Sequence, residues 1–104
     1  MLRAVLHGFL HIAAPAVVAR AAFADHWKRA WIMMLAAMIV DLDHLLADPI
    51  YDPNRCGLGF HPLHSWPAIA VYLVLTVIAP TRLIGLGLLI HMALDGLDCV
   101  WMAL

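Results

Sequence analysis

Four long apolar segments alternate with short polar stretches along this chain of 104 residues. They cover residues 2–20, 30–47, 62–79 and 83–104, and none shows the alternation of apolar and polar residues that is typical of a strand. At about 1.5 Å per residue these segments predict helices of about 27–33 Å, close to the bilayer hydrocarbon thickness of about 30 Å. Residues 48–60 contain two prolines and two glycines, which predicts one long irregular loop.

The composition favours a membrane protein. Hydrophobic residues make up 65% of the chain and charged residues 12%, against about 45–50% and about 25% in soluble domains. A soluble domain this small has too little interior to bury so many apolar side chains. We therefore predict an all-α fold, a single integral membrane domain built as an up-down four-helix bundle over residues 1–104. The first segment resembles a secretory signal, but His7 and His11 interrupt it, so we expect it to be retained as a span.

Histidine and aspartate residues form four clusters within or beside these apolar segments, where an unpaired carboxylate is costly and usually marks function. Members of each cluster recur at a spacing of three or four, so they share one face of a helix. In an up-down bundle the start of helices 1 and 3 and the end of helices 2 and 4 lie at the same end. All four clusters are therefore predicted to meet there. Their candidate metal ligands are His7, His11, Asp41, Asp43, His44, His61, His64, His91 and Asp95.

Imidazole and carboxylate ligands together suit a divalent transition metal, with zinc favoured and manganese or iron as alternatives. Nine candidates exceed the ligands of one tetrahedral ion. Either two ions lie close together, or about half of the set orients the ligands through hydrogen bonds. The preferred ligands are His11, Asp41, His44, His64, His91 and Asp95.

Each cluster also has a purely structural interpretation. The first and fourth clusters can be buried histidines and a His91–Asp95 pair held by hydrogen bonds. The second can be a solvated helix end, and the third a helix start with Pro62 in its first turn and Ser65 as a cap. The two cysteines, Cys56 and Cys99, show no CxxC spacing, so we expect two unpaired thiols rather than a zinc or redox motif.

The remaining polar residues bear on substrate and orientation. Asp43 is the candidate general base, because on an ideal helix it lies off the face of Asp41. Arg55, in the long loop, is the candidate anchor for an anionic group such as a phosphate. Basic residues are more frequent at the end away from the clusters, so the positive-inside rule places the metal side outward. They are Arg20, Lys28, Arg29 and Arg82, against Arg3 and Arg55 on the cluster side.

At these residues the chain resembles the bacterial membrane-bound metal-dependent hydrolase family, which has a D-x-D-H motif, an H-x-x-x-H-S type motif and a later His/Asp helix. The sequences Asp41-Leu42-Asp43-His44 and His61-Pro62-Leu63-His64-Ser65 match the first two, with one residue fewer between the histidines. The segment from Pro49 to Cys56 is similar to a short branch of that family, which consists of uncharacterised integral membrane proteins. The resemblance implies a metal-dependent hydrolase in the bacterial inner (cytoplasmic) membrane.

The predicted function is hydrolysis of a phosphoester or lipid-like substrate at a mono- or dinuclear His/Asp site near one membrane face, with membrane lipid as the surrounding partner. The net charge of −1 and the lack of a basic stripe exclude a nucleic acid as partner. Two other functions stay open: a membrane metal-binding or transport protein, and a small accessory subunit, as a homo-oligomer or within a larger membrane complex.

Overall fold

The computed structural model describes residues 2–46, 56, 58–59 and 61–104, and the backbone alone for residues 43–45. The described part is all-helical and contains four main helices. Helix α1 covers Leu2–Ala22, α2 covers Trp27–Ala36 and continues as a 3-10 helix over Ala37–Leu46, α3 covers Trp66–Val77, and α4 covers Arg82–Ala103. Single 3-10 turns at Ala24–His26, Pro62–His64 and Ala79–Thr81 precede α2, α3 and α4.

The second and third helices differ from the predicted spans in length and type. A 3-10 helix rises about 2.0 Å per residue, so α2 and its 3-10 continuation together reach about 35 Å rather than the predicted 27 Å. Helix α3 is shorter than residues 62–79, because Ser65 caps it and only 12 residues follow in α conformation. The hydroxyl of Ser65 accepts a hydrogen bond from the Ala68 amide at 3.4 Å, so the alternative helix start at Ser65 is confirmed and Pro62 begins a separate turn.

Helix α4 is the centre of the bundle and packs against the other three helices. Contacts along α1 run from the Arg3–Asp98 ion pair to the pair His11–His91, so α1 and α4 are antiparallel. Gly87 lies against Met34, and His91 lies against Asp41, so α2 and α4 are parallel. This is the up-down order that the sequence predicts.

Small and medium-sized residues fill the interior. One cluster joins Ala19, Ala30 and Met34, and a second joins Ala37, Val40, Tyr72, Leu88 and Met92. Gly85 and Gly87 let the helices approach closely, because a Cβ added to Gly87 would lie 2.8 Å from the Cα of Met34. Close backbone contact at small residues is how helices associate where the hydrophobic effect is absent, as in lipid.

The expectation of two unpaired cysteines is wrong. Cys56 and Cys99 form a disulfide that joins the end of the long loop to the last turns of α4. Leu58 reinforces this attachment, since its side chain lies against the position of Gly96. The disulfide crosses 43 residues of sequence, so sequence spacing alone gives no sign of it.

Candidate metal centre

The predicted convergence of the clusters is confirmed for the described side chains. His7 and His11 come from the first half of α1, Asp41 from the 3-10 end of α2, and His64 from the turn before α3. His91 comes from the middle of α4 and Asp95 from its second half. These six residues form two groups of potential metal ligands at one end of the bundle, and the two groups share Asp95.

The position of His64 is set by the short turn that carries it. The His64 amide donates to the His61 carbonyl at 3.0 Å, and the Gly59 amide donates to the His64 carbonyl at 2.9 Å. Gly59 has a φ of 81°, which a glycine adopts without strain. The hydroxyl of Tyr72 donates to the Leu63 carbonyl at 2.7 Å and ties the turn to α3. As a result His64 is fully buried, with its ring aimed at α4.

Four atoms from three parts of the chain converge in the first group, which we call the four-donor group: Asp41, His64, His91 and Asp95. The Nε2 atoms of the two histidines lie 3.2 Å apart. The Oδ1 of Asp41 lies 3.0 Å from the Nε2 of His91 and 3.4 Å from that of His64. The Oδ2 of Asp95 lies 2.9 Å from His64 Nε2 and 3.4 Å from His91 Nε2.

These distances match the shell of one small cation. In a regular tetrahedron with edges of about 3.2 Å, the centre lies about 2.0 Å from each corner, which equals the usual zinc–nitrogen and zinc–oxygen distances. Two imidazoles and two carboxylates are also a ligand set that zinc accepts. These five donor–donor distances are therefore of the size expected around one metal ion, which the four-donor group could hold.

Hydrogen bonds between aspartates and neutral histidines account poorly for the same geometry. A neutral imidazole carries one N–H, yet the Nε2 of His64 has three polar atoms within 3.4 Å, from Asp41, His91 and Asp95. One proton can be directed at only one or two of them. A cation at the centre would be attracted to all the surrounding lone pairs at once and would offset the cost of burying the Asp95 carboxylate.

The second group, which we call the three-donor group, contains His7, His11 and Asp95. It uses the other carboxylate oxygen: Oδ1 of Asp95 lies 3.1 Å from the Nε2 of His7 and 3.3 Å from that of His11. The His11 side chain is buried, whereas that of His7 is 28% exposed. Asp95 thus connects α1 to the four-donor group.

The other predicted site residues have different positions. His61 is buried, with its ring 5.6 Å from that of His64, and it belongs to neither group within the described residues. The side chains of Asp43 and His44 and the whole of Arg55 lie outside the described residues, so these three predictions are not tested by the geometry. The interpretation of the second cluster as a solvated helix end holds only in part for Asp41. Its side chain is 41% exposed, but it contacts two buried histidines.

Sequence reasoning missed two supporting contacts. Asp98 lies one turn beyond Asp95 and forms an ion pair with Arg3 at 3.4 Å, which fixes the start of α1 against α4. Tyr72 holds the His64 turn, as described above. The sequence does contain a signal for Tyr72: its hydroxyl lies inside the most apolar of the four helices, two helical turns after His64.

Comparison with known proteins identifies a family but no activity. Neither the curated proteins nor the solved structures include a match to this chain. One family model matches residues 1–102, which is nearly the whole length and includes every residue of both groups. The chain therefore belongs to DUF6122, a family of unknown function.

Proposed function

We propose that this protein is an integral membrane metal-dependent hydrolase, which binds a divalent transition metal at the four-donor group and acts on a phosphoester or lipid-like substrate at one membrane face. The observation that carries the proposal is the convergence of Asp41, His64, His91 and Asp95, whose potential ligand atoms all lie within 4.8 Å of one another.

Two helices support a location in the membrane. Leu2–Ala22 and Ala79–Ala103 are long and apolar enough to cross a bilayer. A core helix of a soluble protein passes the same test, but such a helix is mostly buried, whereas these two are 17% and 33% buried. Large apolar side chains of α1 are exposed instead, among them Leu2, Val5, Phe9 and Val17. An exposed apolar surface of this extent fits contact with acyl chains or with a protein partner.

A signal sequence is the other explanation for an apolar helix near the N-terminus. Helix α1 carries His7 and His11, both of which contact Asp95. Cleavage after α1 would remove two of the three donors of the three-donor group. We therefore interpret α1 as a retained part of the bundle.

The disulfide supports an outward orientation of the site. Disulfides persist in oxidising compartments such as the bacterial periplasm and are rare in the cytosol. The Cys56–Cys99 bond lies one turn beyond Asp95 on α4, at the same end as both groups. Basic residues lie at the opposite end: Arg20 is in the last turn of α1, Lys28 is in the first turn of α2, and Arg82 begins α4. Both features fit an inner membrane protein whose metal site faces the periplasm.

The site residues have the properties that hydrolysis needs. A divalent cation bound here would lower the pKa of a water attached to it and would polarise a phosphoryl oxygen. In hydrolysis the water oxygen bonds to phosphorus, the ester oxygen leaves, and a base takes the proton of the water. Asp43 remains our proposed base and Arg55 our proposed anchor for the substrate anion. The buried histidines His64 and His91 hold their ligand atoms rigidly and exclude bulk water from one side of the site.

Metal transport is a less favourable function for this fold. A carrier needs a path to the far side of the membrane. The half of the bundle beyond the site is instead filled by Ala19, Ala30 and Met34, none of which is more than 1% exposed. No described side chain of this packed cluster offers a metal ligand apart from the weakly binding thioether of Met34.

The test is metal content and hydrolysis by the protein purified in detergent. We expect at least one tightly bound zinc per chain by elemental analysis, and chelator-sensitive hydrolysis of bis(p-nitrophenyl) phosphate or a fluorescent phospholipid. Asp41→Asn and His91→Ala should lose metal and activity together. Asp25→Asn and His26→Ala are matched controls, because both residues are exposed at the opposite end of the bundle.

Three outcomes would count against the proposal. Wild-type protein that binds no transition metal would refute the site. Metal-loaded protein that hydrolyses none of these esters, but carries zinc across liposome membranes, would replace hydrolysis with transport. Equal loss of metal in the control variants would mean that the bound ion is adventitious.

A further inference from the structure

The two carboxylate oxygens of Asp95 face two different sets of histidines. Oδ2 points to His64 and His91, at 2.9 and 3.4 Å. Oδ1 points to His7 and His11, at 3.1 and 3.3 Å. A carboxylate that gives one oxygen to each of two donor sets is the usual bridge in two-metal sites, whose ions lie about 3.5–4 Å apart.

The hydrogen bonding of His11 turns the lone pair of its Nε2 atom toward the three-donor group. The Nδ1 of His11 lies 2.8 Å from the carbonyl oxygen of His7. A carbonyl only accepts, so Nδ1 carries the proton, and in a neutral ring Nε2 then has a lone pair. That lone pair faces the Oδ1 lone pairs of Asp95 at 3.3 Å. Two acceptors at this distance repel each other unless a positive charge lies between them.

We infer that a second divalent cation binds to His7, His11 and Asp95, and that Asp95 bridges it to the ion of the four-donor group. The inference rests on the proposed function only for the role of this ion in hydrolysis; the binding itself stands on the geometry. The donor set has two imidazoles and one carboxylate oxygen, which is the ligand set of catalytic rather than structural zinc sites.

The two positions have different tasks. The four-donor group supplies four ligand atoms, so an ion there takes up a water only by expanding to five ligands. The three-donor group leaves one position open for a water or a substrate oxygen. His7 is the partly exposed member of that group, with 28% of its side chain accessible, so the open position can be reached from outside. The substrate should therefore bind at the α1 side, next to His7.

The test is the stoichiometry of metal binding, with Mn²⁺ and Zn²⁺ as probes on the full-length protein. Wild-type protein should bind two ions per chain, and bound Mn²⁺ should give the electron paramagnetic resonance spectrum of an exchange-coupled pair. His7→Gln and His11→Ala should each bind one ion and give the spectrum of an isolated Mn²⁺. Asp95→Asn should bind fewer than one. His26→Ala, outside both groups, should keep two.

Release kinetics test the difference between the sites. Excess chelator should remove one equivalent at least tenfold faster than the other from wild-type protein, and the fast phase should be missing in His7→Gln. This variant guards against misfolding, because His7 is partly exposed and His11 is not.

Several results would overturn the inference. They are one ion per chain in the wild type, two ions retained in both His7→Gln and His11→Ala, and an uncoupled Mn²⁺ spectrum at full loading. One ion with chelator-sensitive hydrolysis would leave the proposed function standing without the second site. Two coupled ions without hydrolysis would support the second site and refute the proposed hydrolysis.

Discussion

Replacement of Gly87 by alanine tests how helix packing positions the candidate metal site. The added Cβ would lie 2.8 Å from both the Cα and the carbonyl oxygen of Met34, whereas ordinary contact begins at 3.4 Å. Helices α2 and α4 must therefore separate by about 0.6 Å at this point. Overpacking of this kind costs about 1–3 kcal/mol.

The same separation reaches the site. Gly87 lies one turn before His91 on α4, and Met34 lies two turns before Asp41 on α2. A metal site tolerates about 0.5 Å of displacement, and misplaced supporting contacts cost about 10–100-fold in metal affinity. We expect Gly87→Ala to bind zinc about tenfold more weakly than wild type.

Gly8→Ala is the matched control, because a Cβ at Gly8 meets nothing within 4 Å. Both variants gain the helix propensity of alanine, about 0.8–1.0 kcal/mol. The difference between them therefore isolates the clash. We expect Gly87→Ala to be about 1–3 kcal/mol less stable than Gly8→Ala in unfolding by sodium dodecyl sulfate with chelator present. Zinc affinity is measured by competition with a chromophoric chelator. Equal stability and equal zinc affinity in the two variants would refute the link between this helix contact and the site.

Two further predictions concern the loop and the turn next to the site. Cys99→Ser should remove a cross-link over 43 residues and lower the free energy of unfolding by about 2–4 kcal/mol. Non-reducing electrophoresis after alkylation should find no free thiol in the wild type. Labelling of both wild-type cysteines by alkylation in intact cells would contradict the disulfide and the outward orientation. Tyr72→Phe should remove the 2.7 Å hydrogen bond to the Leu63 carbonyl, at a cost of about 1 kcal/mol. Because this loosens the His64 turn, zinc should bind several-fold more weakly. Thr76→Val, which removes a side-chain hydrogen bond inside α3, is the control and should leave zinc affinity unchanged.

The end of the bundle at which the site lies could be predicted because two simple rules determine it. A spacing of three or four places residues such as His7 and His11 on one face. Up-down connectivity then brings the start of α1 to the end of α4, where Asp95 lies. Neither rule depends on the rotation of a helix about its own axis. That rotation decides which candidate side chains can reach one ion. Sequence alone therefore could not distinguish His64, which contacts Asp41 and Asp95, from His61, which is also buried.

Other features depend on tertiary contacts. No proline or glycine marks Ala37–Leu46 as a 3-10 helix, and the residues read equally well as an α-helix. A 3-10 stretch inside a longer helix often marks a functional site, and this one carries Asp41. The disulfide depends on the course of the long loop, which brings Cys56 back to α4 although the two cysteines have no motif spacing.

The polar interior of the described part coincides with the candidate metal site. The buried polar residues of the described part are four histidines, His11, His61, His64 and His91, and all lie at the site end. The described carboxylates that contact them are Asp41 and Asp95, since Asp98 is paired with Arg3. One divalent cation would neutralise these two carboxylates, and a second would leave two positive charges in an apolar protein. Because such a charge is costly to bury, the two-ion site should favour an anionic oxygen at its open position, which is the physical reason to prefer a phosphoester over a neutral ester as substrate.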